Sequence, residues 1–247
     1  SRGRILDTIM RNPMASRISA AWQRALARLP SQCAVCQSWP AQRVCGACVA
    51  RFAQPRARCP TCAIAVEAGQ QQCSACLHQP PPLARCVAAV DYAYPWADAL
   101  SDFKFRSDPG WASALALLLR STPWAEPVLD GADLVLPLPL SRQRLRQRGF
   151  NQALLLARQL APDKTDATLL LRLRDTPAQS SLARAQRLEN LHGAFAIEPL
   201  RAHRVSGQRV VLIDDVMTTG ATLHAAAGVL HRAGAAQVSA LVVARTP

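Results

Sequence analysis

Long apolar runs are largely missing from this 247-residue sequence. The stretch Leu115–Leu119 is far too short to cross a bilayer, which takes about 20 apolar residues, so no membrane span is expected. No apolar core follows the N-terminal Arg2, Arg4 and Arg11, so no secretory signal is expected, and a cytoplasmic location follows as the expectation. Lysine is nearly absent: Lys104 and Lys164 are the only two. Acidic residues are also few, 16 against 29 Lys+Arg, which leaves a formal charge of +13. Arginine grips phosphates bidentately, so the excess suits anionic ligands, although a general bias towards arginine codons explains the same count. What the sequence does not lack is hydrophobic residues, at 50%, which excludes a disordered composition and allows a sizeable core.

Residues 14–29 carry Met14, Ile18, Ala21, Trp22, Ala25, Leu26 and Leu29 at helical spacing, and Pro30 ends the stretch. The segment 1–30 therefore reads as a packing helix. Residues 31–79 are rich in Cys, Gln and Pro and cannot form a conventional core alone. His78-Gln79-Pro80-Pro81-Pro82 reads as a stiff linker, and a domain over 83–247 follows it. There the pattern predicts strands at Val87–Tyr92, Leu134–Leu136, Val210–Ile213 and Val238–Val243. It predicts helices at Trp111–Arg120, Asn151–Leu160 and Ala221–Arg232, the last closed by Gly234. Buried apolar strands alternating with helices predict an α/β domain with an open, mostly parallel sheet flanked by helices.

Nine cysteines are present. Eight form the pairs Cys33/Cys36, Cys45/Cys48, Cys59/Cys62 and Cys73/Cys76, each spaced CxxC. Two thiolates on one such turn reach the same tetrahedral ion, and two turns complete a site, so eight cysteines suit two zinc ions. Local pairing places Cys33, Cys36, Cys45 and Cys48 on one ion and Cys59, Cys62, Cys73 and Cys76 on the other; interleaved pairing fits the spacing as well. An iron–sulfur cluster or redox dithiols are the competing readings. Four cysteine ligands leave no position for a substrate water, so the zinc is expected to be structural, and metal binding to fold the module. Cys86 reads as a buried thiol.

The sharpest local feature is the apolar run Val210–Ile213 followed by Asp214-Asp215-Val216-Met217-Thr218-Thr219-Gly220-Ala221-Thr222. A strand delivers two carboxylates, a small-residue loop follows, and a helix begins. Small residues let main-chain N–H groups approach a phosphate, and the helix N-terminus favours its charge. The two aspartates accept from vicinal ribose hydroxyls, directly or through Mg²⁺. Phosphate and diol at this spacing describe a ribose 5-phosphate. The bland alternative is a tight strand-to-helix turn with solvated caps.

This loop resembles the phosphoribosyl pyrophosphate (PRPP) motif of type I phosphoribosyltransferases. A wider resemblance is carried, in order, by Phe103-Lys104-Phe105, Pro137-Leu138-Pro139, Arg148-Gly149-Phe150-Asn151-Gln152, the segment Arg174–Gln179, Arg187, Asn190 and the loop itself. The chain from roughly residue 30 to 245 resembles the ComF family, whose members combine that fold with an N-terminal double zinc ribbon. The resemblance implies that Asp214 and Asp215 hold the ribose and that Thr218–Thr222 hold the 5-phosphate, with Val216 and Met217 between them counted in the same PRPP-binding stretch. It implies that the pyrophosphate loop lies over 137–148, with Leu138, Arg142, Arg146 and Arg148 as candidates beside Arg144. It implies that a closing loop carries Arg174, Gln179 and Arg187. Lys104 is a candidate phosphate contact, counted with Asp214, Asp215 and Arg174 among the catalytic candidates. The implied activity is transfer of a phosphoribosyl group from Mg·PRPP to an unidentified acceptor. Enzymes of the hypoxanthine type place an acidic residue where Thr218 stands, so the acceptor is not legible here. The alternatives are a non-catalytic PRPP sensor or single-stranded-DNA-binding protein acting with a DNA-uptake helicase, and a zinc-module adaptor with a degenerate enzyme domain.

Overall fold

The computed structural model describes residues 31–106, 108–173 and 193–247. The helix expected over 14–29 lies outside them, as do Arg174, Gln179, Arg187 and Asn190. The chain divides into two compact units, Ser1–Cys48 and Val49–Pro247.

In the smaller unit Ser31 and Ala41 exchange two main-chain hydrogen bonds of 2.8 and 2.7 Å, and Cys33 N–H donates to Ser38 O at 3.0 Å, closing the first cysteine turn. Helix α1 (Gly46–Phe52) starts in this unit, and Cys48 is its buried residue.

The larger unit holds α2 (Ser74–His78), β1 (Arg85–Asp91), α3 (Trp96–Phe105), α4 (Trp111–Arg120), α5 (Ala125–Asp130), β2 (Leu134–Pro137), α6 (Arg142–Arg148), α7 (Gln152–Leu160), β3 (Leu170–Arg172), β4 (Phe195–Ile197), β5 (Arg209–Met217), α8 (Ala221–Arg232) and β6 (Gln237–Arg245). Strands β1, β6, β5 and β2 form, in that order, a sheet whose pairs are all parallel, while β3 and β4 form a separate antiparallel pair. The two central strands carry the longest apolar runs because helices cover both their faces: Val210–Ile213 and Leu241–Ala244 are buried throughout. Strand β2 is an edge, and Pro137 ends it without an N–H to give to the ladder.

Helix α8 connects β5 to β6. It turns Leu223, Ala226, Ala227 and Leu230, at the spacing of one helix face, into the core. Gly234, at φ +87°, closes it. Helices α4 and α7 pack on each other and on the sheet, and α8 packs on β4, β5 and β6. The result is the open, mostly parallel, helix-flanked sheet expected from the sequence.

Two local differences matter for the site. Strand β5 does not end at Ile213: it runs on to Met217, pairing Asp214 with Val242, Val216 with Ala244 and Met217 with Arg245. Polar side chains do not stop a main-chain ladder, so the end of the apolar run misplaces the end of the strand. Helix α6 has no buried residue and hence no apolar period by which to read it.

Candidate functional site

Strand β5 carries Asp214 and Asp215 into a cavity of about 410 Å³ at the C-terminal edge of the sheet, where open α/β sheets hold ligands. Adjacent strand residues point to opposite faces, so the two carboxylates meet different neighbours. Asp215 is 7% exposed. It receives Lys104, from the last turn of α3, at 2.9 Å. Asp214 Oδ1 accepts the N–H of Asp215 at 2.9 Å. Burial, and then the like charge of Asp215, push the Asp214 carboxyl up to about 7 against the pull of Lys104 and Arg172.

Beyond Met217 the chain turns through Thr218 and Thr219 to Gly220, which caps α8 at φ +79°. A Cβ built on Gly220 would collide with Met217 Cε and lie 2.8 Å from His224 Nε2. Both the backbone angle and the packing therefore favour glycine. Val216, Thr218 and Thr222 line the cavity with the two aspartates; Thr219, Gly220 and Ala221 shape the turn behind them. Met217 is buried and faces the core, its Sδ 3.5 Å from Cys86 Sγ. Burial pushes the Cys86 thiol up to about 12, as befits an inert core cysteine.

The opposite wall is the segment 138–140 and helix α6. Leu138 N–H donates to Ile213 O at 2.9 Å. Asn151 Nδ2 donates to Leu138 O at 3.0 Å, while Asn151 Oδ1 accepts Leu154 N–H at 3.3 Å and caps α7. One asparagine thus holds both the loop and a helix start. Ser141 Oγ caps α6 by accepting Arg144 N–H at 3.3 Å. The helical period then sorts the arginines: Arg144 and Arg148, four apart, line the cavity, whereas Arg142 and Arg146 are not among its lining residues. Arg148 donates to Gln152 Oε1 at 3.1 Å and stacks 5.2 Å from the Phe105 ring centre. Burial lowers the Arg148 guanidinium, against the attraction of Asp215.

Tyr92 after β1, Arg172 at the end of β3, Thr246 after β6, and Asn151 and Gln152 at the start of α7 also line the cavity. Sequence reasoning gave none of them a site role. Only Asn151 and Gln152 carried a signal, through the motif that follows Arg148.

The eight paired cysteines form two groups. Cys33, Cys36, Cys45 and Cys48 gather in one, and Cys59, Cys62, Cys73 and Cys76 in the other, with all sulfurs of a group within 4.8 Å of one another. The grouping is local, not interleaved. Sulfur pairs lie 3.9, 3.6 and 3.6 Å apart, close to the ~3.8 Å edge of a tetrahedron with ~2.3 Å metal–sulfur arms. Each group can therefore hold a metal ion. Burial raises the Cys33 thiol, but main-chain N–H donors outweigh it and bring it down to about 6; Cys59, with similar donors, also comes down to about 6. The Cys45 N–H reaches Cys33 Sγ at 3.3 Å. Burial pushes Cys48 up to about 12 and Cys62 upward as well. A bound cation would compensate the cost of burying such thiolates. The second group belongs to the larger unit: Cys59, Cys62 and Cys76 share its core with Leu83, Cys86, Met217 and Val242.

Among the described residues, two carboxylates, a glycine turn at a helix start and four cations (Lys104, Arg144, Arg148 and Arg172) thus converge on one cavity. Such a site can accept hydroxyls or a hard cation at one end and phosphates along its walls. No described helix is long and apolar enough to cross a membrane.

Comparison with known proteins finds one domain family and several relatives. The profile of the phosphoribosyl transferase domain family matches residues 146–247. DNA utilization protein YhgH of Escherichia coli (strain K12) is 34% identical over 209 residues, covering 82% of this chain and 90% of that protein. Competence protein F of Haemophilus influenzae is 30% identical over 196 residues, covering 76% and 84%. Competence protein ComFC of Bacillus subtilis is 37% identical over 150 residues, covering 60% and 59%.

Proposed function

This chain belongs to the ComF family of proteins with a phosphoribosyl transferase domain, and on that premise we propose that its cavity binds Mg·PRPP and transfers the phosphoribosyl group to an acceptor. The observation that carries the reading is the meeting of Asp214, Asp215 and the Gly220 turn with Lys104, Arg144, Arg148 and Arg172 around one cavity. The aspartates accept from the ribose hydroxyls, and the turn before α8 donates main-chain N–H groups to the 5-phosphate. The arginines and Lys104 neutralise the pyrophosphate. The oxygens of Asp214 and Asp215 suit Mg²⁺, which would add positive charge at the leaving group. In the transfer the bond from ribose C1 to pyrophosphate breaks, pyrophosphate leaves with the electron pair, and the acceptor's lone pair forms the new bond to C1. The protein contributes position and charge.

The two cysteine groups hold structural zinc in this reading, and nine cysteines without a disulfide suit a reducing, cytoplasmic setting. The names of the relatives favour a second reading, in which the same site senses PRPP while the basic surface engages single-stranded DNA or a DNA-uptake helicase.

Calorimetry tests the first reading. Mg·PRPP should bind the unmodified chain and fail to bind Asp214→Ala/Asp215→Ala, and pyrophosphate should appear when the right acceptor is added. Absence of binding would reject the site. Binding without pyrophosphate release across an acceptor panel, together with salt-sensitive DNA binding that survives the alanines, would favour the second reading.

A further inference from the structure

Two carbonyls of the Cys59–Cys62 turn are tied to the end of β5 by separate routes. Pro60 O accepts Cys86 N–H at 2.7 Å, and Cys86 Sγ lies 3.5 Å from Met217 Sδ. Cys62 O accepts Arg245 Nε at 3.0 Å, while Nη1 of the same guanidinium reaches Met217 O at 3.4 Å and Thr246 Oγ1 at 3.1 Å. Arg245 is the last residue of β6, pairs in register with Met217 and is only 8% exposed. Met217 directly precedes Thr218, and its side chain fills the space that a Cβ on Gly220 would need. The cysteine turn and the glycine turn are therefore joined through one buried guanidinium and one methionine.

The choice of arginine has a physical reason. Its fork presents donors in several fixed directions, which lysine cannot match. Every oxygen it reaches is neutral, so a buried cation stands beside Cys62 without a carboxylate among those contacts. Four thiolates on a divalent ion carry the net negative charge that would balance it.

We propose that Arg245 is a positioning residue that couples the ion of the second cysteine group to the glycine turn before α8. The ion holds the Cys59–Cys62 turn, the turn's carbonyls hold Arg245 and Cys86, and these bear on Met217 and so set the path of Thr218–Gly220. The proposal rests on the Mg·PRPP reading. Coupling between two sites is reciprocal, so Mg·PRPP must in turn tighten the second ion. The first group, in the other unit, is the internal control.

The test uses the full-length chain with Cys36→Ser and Cys45→Ser, so that zinc remains only in the second group, and follows zinc release to a colorimetric chelator. Saturating Mg·PRPP should slow release by ~5-fold or more. Arg245→Met should abolish that slowing and Arg245→Lys should keep part of it. Hydrogen exchange on the unmodified chain reads the same coupling without a variant: Mg·PRPP should protect the amides of residues 59–66 and leave those of 33–48 unchanged. Zinc release and exchange that ignore a ligand calorimetry shows to be bound would overturn the coupling and leave the Mg·PRPP reading standing. No binding heat on the unmodified chain would overturn both.

Discussion

Gly220→Ala is the substitution whose cost the structure lets one work out. Gly220 sits at φ +79° at the start of α8, and an L-residue held in that region costs roughly 1–2 kcal/mol. The new methyl group would also meet Met217 Cε and His224, but those are side-chain ends that can move. The backbone term therefore dominates. If the loop keeps its path, the whole cost appears as lost stability. For a chain of this size that lowers the melting temperature by roughly 2–8 °C, well inside the ~5–15 kcal/mol that keeps a domain folded. If the loop instead relaxes in the free protein, the cost moves to binding, and Mg·PRPP affinity falls by roughly 5–30-fold. The two losses should together account for about 1–2 kcal/mol. Thermal unfolding at fixed zinc, with calorimetry at 25 °C, measures both. Gly220→Asn should lose less, because asparagine tolerates the left-handed region. An alanine variant with native melting and native affinity would refute the argument.

Elemental analysis should find two zinc ions per chain, one for each cysteine group, and Cys45→Ser should leave one; iron in their place would reject the zinc assignment. The Asp214 carboxyl, pushed up to about 7, is protonated below that pH in the free protein. It must ionise to serve a cation, so affinity for Mg·PRPP should rise as pH increases through neutrality and binding should release protons. Calorimetry in two buffers of different ionisation enthalpy reads this directly, and proton uptake would contradict it. Arg144→Ala should weaken Mg·PRPP by about tenfold, the worth of one charge-assisted hydrogen bond, whereas Arg142→Ala should stay within about twofold, because Arg144 lines the cavity and Arg142 does not; equal effects would mean a diffuse basic field. Asn151→Ala removes a helix cap and the donor to Leu138 O. It should cost about 0.5–2 kcal/mol in denaturant titration, and no change would show that water replaces both bonds.

What could be read along the chain, and what could not, divides by distance. The β5–α8–β6 unit was legible because each part is written locally: an apolar run, two carboxylates, a glycine where φ must be positive, a helix face, a closing Gly234. The cysteine pairs were legible for the same reason, since a CxxC turn needs only its own four residues. Which pairs gather into one group was not, because spacing permits both arrangements and only the fold brings the sulfurs together. The arginines over 142–148 stood in the sequence as a basic run. The capped helix α6 separated Arg144 and Arg148 from Arg142 and Arg146, through an angular period that no apolar pattern announced.

By itself, then, the sequence determined the sheet's central strands, the carboxylate-and-glycine turn and the presence of cysteine pairs that can hold a metal, since each follows from neighbours in the chain. The tertiary structure alone decided that Arg172, Tyr92 and Thr246 meet Asp214 in one cavity. It also decided that Lys104 answers Asp215 and that Arg245 reaches back to Cys62. These partners come from different strands and helices. Their encounter is set by how parallel strands stack and where their C-terminal ends fall, and residue order does not encode that in any local period.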